Sequence, residues 1–292
     1  MTYERPNILK DTIDKVFSQT VFPEKLLIVD NSFTYDTQEL ISTINNPKIL
    51  YHRVGYNSGP AGAAAIGLKV LSDEGYEWIY WGDDDDPPIF LNTFEILLNI
   101  AKINKNCGCI GAVGQWFNFK NGMMKRVPDE ELYKEGVLEV DNIAGNMCKI
   151  INSDVCRINN VYPDETLFFG FEELDFDLRL KKAGYRLLVD RQLYYAHRKN
   201  SNRLGLIKRD FKKKNKSLLI REYYSIRNIL YISNKNKLHL ALIKLFFYFF
   251  LKQFLGFRFG FNYGYTCFKN FFLSYYHFIT SKMGQRKNYN LE

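Results

Sequence analysis

Between residue 1 and about residue 200, short apolar runs alternate with amphipathic stripes, and this alternation admits few architectures. The runs Lys25–Val29, Ile49–Val54, Tyr76–Trp81, Cys109–Val113 and Arg186–Val189 have the length of buried strands. Between them, Ile8–Gln19 carries Leu9, Ile13, Val16 and Phe17 on one stripe. Ala61–Leu71 reads as a helix of small residues, and Pro88–Lys102 sets Phe94, Leu97, Leu98 and Ala101 on one face. Strands alternating with helices predict an α/β fold, a mostly parallel Rossmann-like sheet with helices on both faces. Ligands of such sheets bind at the carboxyl ends of the strands. The opening departs from this pattern. Met1-Thr2-Tyr3-Glu4-Arg5-Pro6 enters the first helix from a loop, where an apolar strand is expected. Either the natural start lies upstream or the sheet lacks a member.

Charge divides the chain at the point where the alternation stops. The net charge of +8 conceals 20 Lys and Arg against 29 Asp and Glu in residues 1–197, and 20 against 3 in residues 198–292. Nearly half of the aromatics fall in that basic tail, which reads as helical and irregular pieces. Two regions follow: a catalytic domain over 1–200, and a helical extension over 201–292 that associates with membrane or oligomerises. The apolar stretch Leu238–Leu255 is interrupted by His239, Lys244, Lys252 and Gln253. A spanning helix needs about 20 apolar residues, so the stretch is expected to lie on a bilayer rather than cross it. The five cysteines are odd in number and form no CxxC pair, which excludes a zinc knuckle. They read as reduced thiols, and the absence of a signal peptide points the same way, to a cytoplasmic protein.

Several groups of residues have types that carry chemistry. Asp83-Asp84-Asp85-Asp86 runs on from the Tyr76–Trp81 strand. Four adjacent carboxylates raise one another's pKa and are tolerated in a solvated turn or around a cation. Hard oxygen ligands suit Mg²⁺ or Mn²⁺, and the placement between an aromatic strand and an apolar helix favours the cation. Phe168-Phe169-Gly170-Phe171-Glu172-Glu173-Leu174-Asp175 places carboxylates at a helix start behind an aromatic run. There they either cap the helix or accept a proton from a substrate hydroxyl. Asn57-Ser58-Gly59-Pro60-Ala61-Gly62 is either a plain turn or a phosphate cradle at a helix N-terminus. His197 follows the last strand of the body.

In this order the pieces resemble the inverting family 2 glycosyltransferases, bacterial rhamnosyl- and galactofuranosyltransferases among them, with the A-type nucleotide-sugar-binding fold. The resemblance covers Thr2 to His197. It implies that Thr2, Tyr3 and Arg5, in a loop similar to the family's Thr-Tyr-Asn-Arg, contact the nucleotide. Asp30 then reads the base or ribose, and Asn57 and Gly62 belong to the donor site. Asp83 and Asp85 look like the DxD element for metal and diphosphate, with His197 as a third ligand and Asp84 beside the donor. A fourth aspartate leaves a second register, Asp84 with Asp86. Glu173 or Glu172 supplies the catalytic base. Glu4 stands where the family has Asn. Downstream, Arg221-Glu222-Tyr223-Tyr224-Ser225-Ile226-Arg227-Asn228 resembles an element of the rhamnosyl- and galactofuranosyltransferases, which implies surface-polysaccharide synthesis on a lipid-linked acceptor.

The implied reaction is a metal-dependent inverting transfer from a nucleoside diphosphate sugar, galactofuranose or rhamnose. The basic aromatic tail suits an anionic membrane surface, the inner face of the plasma membrane, or a homo-oligomer contact. Two other classes explain less. A sugar nucleotidyltransferase needs a Gly-rich basic loop where Thr2-Tyr3-Glu4-Arg5 stands. A non-catalytic binder of single-stranded nucleic acid leaves the four aspartates unexplained, so no nucleic-acid partner is expected.

Overall fold

The computed structural model describes residues 1–144, 148–206 and 212–286. Helix α1 (Pro6–Phe17) precedes β1 (Leu26–Asp30), α2 (Asp36–Thr43), β2 (Ile49–Arg53), α3 (Gly59–Asp73), β3 (Trp78–Trp81), α4 (Thr93–Ile103) and β4 (Cys107–Gly111). The hairpin β5 (Gln115–Asn118) and β6 (Met123–Arg126) stands apart from the main sheet, and α5 (Asp129–Leu132) follows it. Next come β7 (Val137–Glu139), β8 (Lys149–Asn152), α6 (Asp154–Arg157), α7 (Glu172–Lys182), β9 (Arg186–Asp190) and α8 (Arg191–Asn200). The extension contains α9 (Lys216–Lys235), α10 (His239–Phe254) and α11 (Phe261–Ile279).

The five-stranded sheet runs β3-β8-β4-β9-β7, and β1 pairs in parallel with β2 beside it. β3, β4 and β9 share one direction, while β8 and β7 oppose them. The expected parallel sheet is therefore mixed, because β8 inserts antiparallel between β3 and β4. The strand expected ahead of α1 leaves a visible gap. β1 and β3 do not pair, and a hollow of about 70 Å³ between them is lined by apolar side chains such as Ile13, Val29, Leu68 and Ile79. The first two residues cross its top. The Met1 amine donates to the Gly82 carbonyl at 3.0 Å, and the Thr2 N–H donates to Val29, which gives Thr2 a parallel bridge to Asp30.

One apolar core joins the five-stranded sheet to α4 and α7 through Ile110, Ile150, Leu188, Leu97 and Phe176. A second links Leu174 and Leu178 of α7 to Ile226, Ile229 and Leu230 of α9 and to Phe271 of α11. The extension thus packs on the helix that opens with Glu172 and Glu173. A buried ion pair fixes α7 from its other side. Lys149 of β8 reaches Asp177 at 2.6 Å, both fully buried, and its ammonium lies about 5 Å from the Trp81 and Phe176 rings. Asp177 also accepts the Ile143 N–H. All five cysteines are buried and unpaired.

Candidate active site

The strand ends converge on a cleft of about 750 Å³. Thr2, Tyr3 and Arg5 form one wall and Asn31 and Asn57 another. Asp83–Asp86 form the floor, with Phe168, Phe169, Glu172 and Glu173 opposite. Met1 and Arg221, 220 positions apart in sequence, are brought together here.

The N-terminal loop is tied down at each residue. Thr2 donates its hydroxyl to Asp84 Oδ2 at 2.6 Å, and the Thr12 hydroxyl reaches the Asp84 carbonyl. Arg5 forks across Asp84 and Asp85, a charge-assisted pairing that fixes both carboxylates. Glu4, in the left-handed region at φ 55°, accepts the Phe33 and Thr34 N–H groups and the Thr34 hydroxyl. It therefore staples this loop to the one after β1, a job for an acceptor at this position.

The aspartates differ by surroundings. Asp84 is the most enclosed; at the partly buried Asp83, desolvation, aided by Glu173, Asp85 and Asp84 against the Met1 ammonium, pushes the carboxyl up to about 7. Asp86 is pushed up to about 6 by burial and by Asp85. At the start of α7, Glu172 is buried, and desolvation with the neighbouring Glu173 charge lifts its carboxyl well above the ordinary range. Its Oε2 has no hydrogen-bond partner. Glu173 is half-buried and faces the cleft. The two carboxyls suggested by the sequence thus separate by surroundings, Glu172 buried and Glu173 half-exposed to the cleft.

Three predicted site residues lie elsewhere. Asp30 is fully buried and both its oxygens are engaged, by the Ser32 N–H and the Tyr51 hydroxyl. It shapes the loop, and its neighbour Asn31 lines the cleft instead. Gly62 sits inside α3, where a Cβ would strike Ser58 at 2.6 Å, so it serves packing. The N-terminus of α3 is itself covered, as the Ala61 N–H donates to the Phe168 carbonyl. His197 lies on α8, which starts directly after β9, and shares a separate small hollow with Asp86. Among the described residues no group of three or more His, Cys, Asp or Glu is gathered for a metal. Phe168, Phe169 and Arg221 also line the cleft. The aromatic run had signalled the first two, whereas Arg221, which opens the Arg221–Asn228 stretch singled out in the sequence, comes from the extension and was given no place at the site.

The chain resembles known proteins over this same region. Residues 1–147 match the model described as glycosyl transferase family 2. The galactofuranosyltransferase GlfT1 of Mycolicibacterium smegmatis is 25% identical over 195 residues, 63% of this chain and 64% of that protein. GlfT1 of Mycobacterium tuberculosis is 24% identical over 196 residues with the same shares. The chain therefore spans a little under two thirds of these relatives. A crystal structure of GalNAc-T7 with UDP, GalNAc and Mn²⁺ superposes with a TM-score of 0.55 at 13% identity, covering 78% of this chain and 45% of that one. That likeness places the fold among the A-type glycosyltransferases. With the family model extending over half its length, from the Thr2 loop through the aspartate floor of the cleft, the chain belongs to glycosyl transferase family 2.

Proposed function

We propose that the protein transfers a sugar from a nucleoside diphosphate donor to a glycan acceptor with inversion at the anomeric carbon. The observation that carries this reading is the cleft itself, where the Asp83–Asp86 floor faces Glu173 across a space large enough for both substrates. Tyr3, Arg5, Asn31 and Asn57 stand where they can hold the nucleotide. The donor set fits a divalent cation: hard oxygens of Asp83 and Asp85 line one space beside Asp84 and Asp86, a density of carboxylates that a bound cation would offset. Asp83 and Asp85 would hold Mn²⁺ or Mg²⁺, which when bound supplies Lewis-acid stabilisation of the leaving diphosphate.

Glu173 accepts the proton of the acceptor hydroxyl as its oxygen attacks the anomeric carbon. The nucleoside diphosphate departs from the opposite face with the bonding electrons. Glu172, kept neutral by burial, adds no second negative charge beside the base. Relatives named galactofuranosyltransferase support galactofuranose as the sugar, with rhamnose the alternative.

The extension supports an acceptor carried on lipid at the inner face of the plasma membrane. Leu240, Ile243, Phe247, Leu251 and Phe254 are exposed along one stripe of α10, and Phe261, Tyr265, Phe272 and Tyr276 are exposed on α11. Between His239 and Thr280 the chain has Lys244, Lys252, Arg258 and Lys269 and no acidic residue. His239–Phe259 is long and apolar enough to cross a membrane, with mean hydropathy 1.6. Its packing favours a surface position: Ala241, Leu245 and Gln253 are buried against the rest of the extension, and Lys252 pairs with Glu222 of α9.

The test is Glu173→Gln. Transfer from the accepted nucleotide sugar is expected to fall about 10²–10⁴-fold, with stabilisation by the nucleoside diphosphate and Mn²⁺ retained. Undiminished turnover overturns the assignment, and no thermal shift with any nucleotide sugar overturns the donor class.

A further inference from the structure

A second depression adjoins the catalytic cleft, and the two share Arg221. It is a trough of about 420 Å³ between α9, α10 and the β5–β6 hairpin, floored by Met123, Met124, Phe171, Leu245 and Phe249. Its charged groups are few and mostly positive. Glu222 is neutralised by Lys214 at 2.8 Å and Lys252 at 3.1 Å. Arg221 is exposed, lies over the Phe169 ring at 5.2 Å, and has no ion pair among the described residues. At its other end the trough reaches Tyr248, which is 44% exposed and adjoins the apolar stripe of α10.

We propose that this trough holds the first apolar units of a prenyl-phosphate-linked acceptor, with Arg221 binding its phosphate at the mouth of the cleft. The inference deepens the transfer to a lipid-linked acceptor proposed above and rests on it. The order of chemistry along the surface is what selects this ligand. A carboxylate base comes first, then a guanidinium without a carboxylate partner among the described residues, then an apolar channel, then an apolar face turned outward. An acceptor with a sugar hydroxyl, a phosphate and a hydrocarbon chain in that order matches each segment. A free nucleotide or a soluble glycan has no part for the trough, and a plain hydrocarbon has none for Arg221. A guanidinium suits this role because its fork pairs with two phosphate oxygens at once.

The test measures binding of farnesyl phosphate, with farnesol and inorganic phosphate as controls, to the full chain without any donor. Arg221→Gln removes the charge at an exposed position, and Arg221→Lys restores it. Leu218→Glu, at a 45% exposed residue lining the trough, puts a carboxylate where the chain is to lie. Arg221→Gln is expected to weaken farnesyl phosphate roughly ten-fold or more, the loss of charge-assisted hydrogen bonds, with partial recovery in Arg221→Lys. Leu218→Glu is expected to weaken both farnesyl phosphate and farnesol. Unchanged farnesyl phosphate binding in Arg221→Gln overturns the proposal. So does weakened nucleoside diphosphate binding in its place, which would give Arg221 to the donor. Tight farnesyl phosphate binding in a chain that transfers no sugar would leave the trough standing and remove the catalytic reading, so the two failures are distinguishable.

Discussion

Asp83 and Glu172 are carboxyls whose ordinary pKa lies near 4, and burial moves both upward for different ends. Burial pushes the Asp83 carboxyl up to about 7, so below that pH a proton competes for the place a cation needs. Divalent-ion affinity should then fall about ten-fold per pH unit below 7 and level off above it. Mn²⁺ titrations at pH 6, 7 and 8 check this, and an affinity flat over that range would remove Asp83 from the ligand set. Most of the cleft was legible from residue type and order. Asn57 and the aspartate run follow strand ends, where ligands of such sheets collect, and the Thr2 loop and Glu173 stand at helix starts. Asp30 meets the same rule but is fully buried. The rule locates a strand end but does not reveal that the Tyr51 hydroxyl, on the neighbouring strand, donates to the carboxylate. His197, expected just past the last strand, is carried on α8 because a helix begins immediately after β9.

Besides presenting Arg221 at the cleft, helix α9 acts on the site through its buried residues. Asn228 is buried and its amide group reaches the carbonyls of Leu167, Phe169 and Gly170 at 2.8–3.0 Å. Arg227 beside it donates to Leu167 and to Gly284. The segment they hold contains two left-handed non-glycine residues, Phe168 at φ 60° and Phe171 at φ 67°, conformations that persist only where the surroundings enforce them. The Arg-Asn pair read from the sequence is thus a clamp on the wall that carries Glu173. Asn228→Ala leaves buried carbonyls without a donor, which costs about 1–3 kcal/mol. The expected result is a lower Tm together with a fall in kcat larger than any change in donor KM. A stable variant with full turnover would contradict the clamp. Strands and helices with a clear period were readable, including β1, β2, α3, α4 and β9. β8 was not, being four residues long and defined by partners 40 and 70 positions away, and the β5–β6 hairpin carries no strong alternation.

Across the whole molecule, the division of charge follows a division of surface. The acidic body gathers carboxylates at one cleft, and the extension turns cations and aromatic rings outward while its inner face shares a core with α7. Each basic residue near an anionic headgroup layer contributes about 1 kcal/mol, and this attraction weakens as salt shortens its range. The protein is expected to co-sediment with vesicles containing anionic lipid, to be released at high salt, and to bind less when exposed Phe247 and Leu251 are both replaced by Ser. Equal binding to neutral vesicles, or none to either kind, would contradict a surface-docked extension. The unpaired gap between β1 and β3 has a practical consequence at the bench. The Met1 amine is hydrogen-bonded to Gly82, and Thr2 next to it holds Asp84, so an affinity tag joined ahead of Met1 begins inside the sheet. The hollow there is only about 70 Å³, so a bulky leader must pull Met1 away and drag on the floor of the cleft. Purification handles belong elsewhere on this protein.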